Sequence, residues 1–96
     1  FMLYINKTIF MNINQLITIV KRKLEKKIII EDIRVEDKSF LHKNHKGYQE
    51  GKFHLKLLIK SSELAKFNKI DATKKIYNIL DVELKKHIHG IQILFN

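Results

Sequence analysis

Phe53, Leu55, Leu57 and Ile59 alternate with His54, Lys56 and Lys60, and this period-2 stretch is the clearest strand in the chain. Its neighbours in sequence constrain how it is used. Before it, Ile33 and Val35 alternate with Asp32, Arg34 and Glu36, and the β-branched Ile28, Ile29 and Ile30 lead into that pattern, so the segment reads as a first strand. After it, a helical repeat of Ile76, Tyr77, Leu80 and Leu84 ends in Lys85 and Lys86, and Ile91, Ile93 and Phe95 then alternate to the end. A strand, a helix and a returning strand favour a right-handed parallel crossover. The sheet is therefore expected to be mixed and covered by helices on one face.

The remaining elements fit one small domain. Asn12 can cap a first helix, Gln15 can reciprocate, and Ile13, Leu16, Ile17, Val20 and Leu24 form its apolar stripe. Lys21, Lys23, Lys26 and Lys27 are assigned to its outer face, where cations near the C-terminus suit the helix dipole. Ser61, Ser62 and Glu63 offer caps for a short turn holding Leu64 and Phe67, and Asp71 is a candidate cap for the main helix. The predicted order is αββααβ, a two-layer α+β sandwich with a three-stranded mixed sheet. Residues 1 to 10 are apolar, lack a small-residue cleavage site and read as an N-terminal extension, with Met11 a candidate start for a domain over 11–96.

Composition removes several functions. No cysteine is present, which excludes disulfides, thiolate nucleophiles and a metal or cluster site built from this chain's own thiolates. No Gly-rich phosphate loop of Walker or dinucleotide type occurs, and the acidic residues show no paired-carboxylate spacing, so no enzymatic activity is expected. No run of about 18 apolar residues is available to span a membrane. The formal charge of +9 invites nucleic acid or an acidic partner. Only 2 of the 19 basic residues are Arg, however, and a Lys, Ile and Asn bias is also what an AT-rich genome writes into any protein. Scarcity of Arg weakens sequence-specific DNA reading.

The histidines carry the remaining chemistry. His89 stands at the junction between the main helix and the last strand, held on both sides yet able to reach solvent, where a metal or partner could find it. The alternative is a strand-end histidine sharing the parity of Ile91 and Ile93 and bonded to backbone. His42 and His45 lie in the polar segment Asp37 to Lys52, which reads as a loop of about a dozen residues, longer than a hairpin needs. Solvated loop histidines are their simpler reading. His87, beside Lys85 and Lys86, is expected to be exposed, and His54 is expected on the solvent face of its strand.

Val35-Glu36-Asp37-Lys38-Ser39 ending the first strand, His42 shortly after, Phe53 opening the second, Ile76-Tyr77 on the helix and Ile88-His89-Gly90-Ile91 at the last junction resemble the BolA family. The resemblance runs from Asn12 to Phe95. It implies a fold like the class II KH domain and a partnership with a monothiol glutaredoxin around a bridging 2Fe-2S cluster, in cytoplasmic iron-sulfur trafficking or sensing. The glutaredoxin cysteine and glutathione would ligate one side, and the chain alone would be a monomer without cluster. The family's C-terminal histidine falls on His89, and its second ligand falls on His42 by spacing or His45 by proximity. The chain departs from the family at Lys52, where a histidine is common, and at Ala72, Thr73 and Lys74, where Arg-His-Arg is common. The other expectation is a nucleic-acid-binding transcriptional regulator with a KH-like fold. A KH domain clamps the backbone with a Gly-x-x-Gly loop, whereas Gly47 and Gly51 here are four apart and lie between strands.

Overall fold

The computed structural model describes residues 12–39 and 52–96. Helix α1 (Ile13–Lys27) opens with a reciprocal cap: Asn12 Oδ1 accepts from the Gln15 amide at 2.8 Å and the Asn12 amide donates to Gln15 Oε1 at 3.1 Å. Leu16, Val20 and Leu24, spaced by four on one stripe, are buried. Ile28 ends the helix in extended backbone, φ −135° and ψ 142°, with its amide still donating to the Leu24 carbonyl.

Strands β1 (Asp32–Asp37), β2 (Phe53–Lys60) and β3 (Ile88–Phe95) form one sheet in the order β1-β2-β3, with β1 antiparallel and β3 parallel to β2. The expected mixed α+β sheet is thus present. β1 starts at Asp32, later than the run of Ile28 to Ile30 suggested. Those isoleucines cap and leave the helix instead: Ile28 is in the core while Ile29 is exposed. Leu55, Leu57 and Ile59 of the central strand are buried against the stripe of α1. Each such fully buried side chain contributes roughly 1.5–3 kcal/mol.

Between β2 and β3 the chain makes a single 3₁₀ turn (Leu64–Lys66), then α2 (Lys69–Ile79) and α3 (Asp81–Lys86). Ser61 fixes the turn, its hydroxyl donating to the Ile29 carbonyl at 2.6 Å and accepting from the Leu64 amide at 3.0 Å. The α2 cap is Asn68 rather than Asp71: Asn68 Oδ1 accepts from the Asp71 amide at 2.8 Å, and Asp71 Oδ2 accepts from Asn68 Nδ2 at 3.1 Å. Starting the helix three residues earlier turns Asp71 from cap into first-turn carboxylate, where it suits the helix dipole.

The main helix expected through Lys86 is broken at Leu80, which takes φ −95° and ψ 18° and is fully buried. This change of direction turns the next segment inward. Glu83 is buried and held by Lys23 of α1, whose Nζ lies 2.8 Å from Oε2 and 3.0 Å from Oε1. Lys23 therefore closes α1 onto α3 instead of standing on an outer face. His87 is also buried, at 9% exposure, against the expectation from its lysine neighbours. Its amide donates to the Glu83 carbonyl at 2.8 Å and its carbonyl accepts from the Phe53 amide at 2.9 Å, so it joins the end of α3 to the start of β2. No helix among the described residues is long and apolar enough to cross a membrane.

Candidate functional site

Two core positions of β3, Ile88 and Ile91, are separated by three residues, where a regular strand returns to the same face after two. The register absorbs the difference as a bulge. Phe53 pairs with Ile88 and the next residue, His54, pairs with Gly90, leaving His89 as the extra residue. The parity that would have tucked His89 beside Ile91 and Ile93 is thereby cancelled, and His89 is exposed. Its chain neighbours, Ile88 and Gly90, are both paired with β2.

The same bulge sets His89 against His54 of the central strand. Their ring centroids lie 4.9 Å apart with the planes tilted by 58°. His54 is half-buried on the face turned from Leu55, and its Nδ1 lies 2.8 Å from where a Cβ on residue 90 would stand. Gly90 is required for this close approach, because any side chain there would displace the imidazole. The backbone of His54 is fixed as well: its amide donates to Ser39 Oγ at 3.0 Å and its carbonyl accepts from the Lys38 amide at 2.7 Å. Ser39 in turn donates its amide to Asp37 Oδ1 at 2.9 Å.

Lys38, His54, Leu55, Lys56, Gly90, Ile91 and Gln92 line an open recess of about 500 Å³. The corner is basic and carries two imidazoles. Among the described residues no three histidine or carboxylate side chains converge to hold a metal ion by themselves. His42 and His45 lie outside the described residues; the described residues bordering that stretch are Ser39, whose hydroxyl accepts from the His54 amide, and Lys52, next to Phe53. Both ends of that segment flank the corner that holds His54 and His89. His54 was missed as a member of the site. Its signal was available only through register, in the coincidence of a histidine on one strand with a glycine opposite it on the next.

Comparison with known proteins places the chain in a family. Residues 24–95 match the family model described as BolA-like protein. The DNA-binding transcriptional regulator BolA of Haemophilus influenzae is 28% identical over 75 residues, covering 78% of this chain and 70% of the relative. The solved BolA domain of SufE1 from Arabidopsis thaliana superposes with a TM-score of 0.72 at 28% identity, covering 84% of this chain and 90% of that one. BolA1 from Arabidopsis thaliana gives a TM-score of 0.69 at 23% identity over 83% of this chain and 88% of that one, a likeness of fold. With the family model spanning the sheet, both later helices and the His89 corner, the chain belongs to the BolA-like protein family.

Proposed function

We propose that this chain is a partner of a monothiol glutaredoxin and that its His89 corner supplies imidazole ligands to a bridging 2Fe-2S cluster, in cytoplasmic iron-sulfur trafficking or sensing. The observation that carries the reading is the exposed His89, raised on a bulge between two hydrogen-bonded strands at the sheet end. The donor set fits a shared cluster and not a self-contained one. Imidazole is a borderline ligand suited to iron, while the absence of cysteine leaves the thiolates to the partner and glutathione. When bound, such a cluster supplies one-electron redox chemistry, at a potential raised by histidine in place of thiolate.

In this reading the chain's residues have separate tasks. His89 offers a nitrogen to the partner's face. His42 or His45 offers the second, from a segment whose two ends flank the same corner. Lys38 and Lys56 beside the recess, with Lys85 and Lys86 on α3, attract the carboxylates of glutathione and chiefly speed encounter. Alone, the chain is monomeric and carries no cluster. The test mixes the protein with a monothiol glutaredoxin, glutathione, iron and sulfide, and compares visible circular dichroism with that of the glutaredoxin alone. A changed spectrum that reverts with His89→Ala supports the reading; spectra that simply add overturn it.

The second reading is DNA binding, favoured by the name of the Haemophilus influenzae relative and by the +9 charge. It predicts affinity that falls steeply with salt, since the contacts would be mostly lysine to phosphate. Binding that is absent at low salt removes it.

A further inference from the structure

The pairing of His54 with His89 is a structural fact that the cluster reading does not use, and it has a chemistry of its own. We propose that His54 and His89 form a two-imidazole site for a single borderline divalent cation, of the Cu²⁺, Ni²⁺, Co²⁺ or Zn²⁺ type, in the isolated chain. The site shares His89 with the proposed cluster corner but does not rest on that reading, because it needs neither glutaredoxin nor thiolate.

Three features support it. The separation is right: a metal about 2.0–2.1 Å from one nitrogen of each ring, at a cis angle of about 90–109°, leaves the ring centroids roughly 4.5–5.2 Å apart. The observed centroid distance is 4.9 Å, with the rings tilted rather than stacked. The His54 backbone is fixed by its bonds to Lys38 and Ser39, and the neighbours of His89, Ile88 and Gly90, are paired with β2, which keeps the two imidazoles on adjacent strands. And the arrangement depends on Gly90, which gives the His54 ring room to lie across the neighbouring strand toward His89.

The surroundings select the ion. Lys56 and Lys38, the latter paired with Glu36 at 3.3 Å, border the recess, and among the described residues no third histidine or carboxylate completes a three-ligand group. That environment disfavours hard, oxygen-seeking Ca²⁺ and Mg²⁺ and leaves ions that prefer neutral nitrogen. Affinity is expected to rise from Co²⁺ through Ni²⁺ to Cu²⁺ and fall again at Zn²⁺.

The test titrates the full chain, without glutaredoxin, with Ni²⁺ or Cu²⁺ and follows calorimetry together with the imidazole proton signals. Expected are broadening of the His54 and His89 rings in step at one equivalent, and a loss of about tenfold or more in affinity in both His54→Gln and His89→Gln. Gly90→Ala should weaken binding too while leaving both imidazoles in the chain. Unchanged affinity in folded His54→Gln, or broadening of His89 without His54, overturns the proposal.

Discussion

Lys23 Nζ of α1 lies 2.8 Å from Glu83 Oε2 of α3, joining residues sixty positions apart across the layer of helices. The Glu83 side chain is 7% exposed and that of Lys23 is 40% exposed, so the carboxylate is the buried partner and the ammonium reaches in from the rim. The pair sits one turn before His87, whose carbonyl anchors the start of β2, and it thus braces the base of the His89 corner.

Removing the lysine leaves the buried carboxylate without its partner. Lys23→Ala is expected to destabilise the fold by about 1–2 kcal/mol, less than a fully buried pair would lose because Lys23 is partly solvated. Urea denaturation measures this. Lys23→Met with Glu83→Leu, which replaces both charges by apolar groups of similar length, should recover much of the loss.

Gly90 is a test of close approach rather than of backbone freedom. Gly90→Ala is expected to change unfolding stability by less than about 1 kcal/mol, because the crowded atom belongs to a side chain that can swing away. The contact between the two imidazole rings should nevertheless disappear. Loss of ring-to-ring proton cross-peaks between His54 and His89, with the rest of the spectrum preserved, is the expected outcome.

Asn68 and Asp71 divide the work at the start of α2. Asn68→Ala removes the cap and is expected to cost about 1 kcal/mol. Asp71→Ala, which removes a first-turn carboxylate but not the cap, should cost less. Thermal unfolding of the two variants side by side ranks them.

Stability should fall in acid through two surface carboxylates. The Ile29 amide and then Lys75 hold Glu63 below its ordinary value, and the Ser62 hydroxyl and amide do the same for Glu31. Both groups therefore bind protons less readily in the folded state than in the unfolded one. Their contribution is complete above the ordinary carboxylate range and is lost as pH drops through that range toward the lowered values. Urea midpoints at about pH 6 and about pH 3 should differ less in Glu63→Gln and Glu31→Gln than in the parent.

Much of the fold was legible because its signals are local. The Asn12 and Gln15 cap, the stripe of Leu16, Val20 and Leu24, and the alternation of Leu55, Leu57 and Ile59 each lie within one element. What was not legible depends on contacts between elements. A period-2 pattern cannot reveal that one residue, His89, is skipped in the register, because Ile88 and Ile91 are placed by the core and not by their neighbours. The break at buried Leu80 similarly follows from packing, and it carries Glu83 and His87 inward despite the lysines around them. His89 itself was found from its junction and its family resemblance. His54 emerged only with the strand pairing.

The central claim is that the corner around His89 is where this protein meets its partner. The most direct measurement is a map of backbone amide shifts on adding a glutathione-bound, cluster-loaded monothiol glutaredoxin. The account predicts perturbations centred on Lys38, His54, Gly90 and Gln92, abolished when His89→Ala is used. Perturbations confined to the exposed side of α2 around Ile70 and Tyr77, with the His89 corner unchanged, would contradict it.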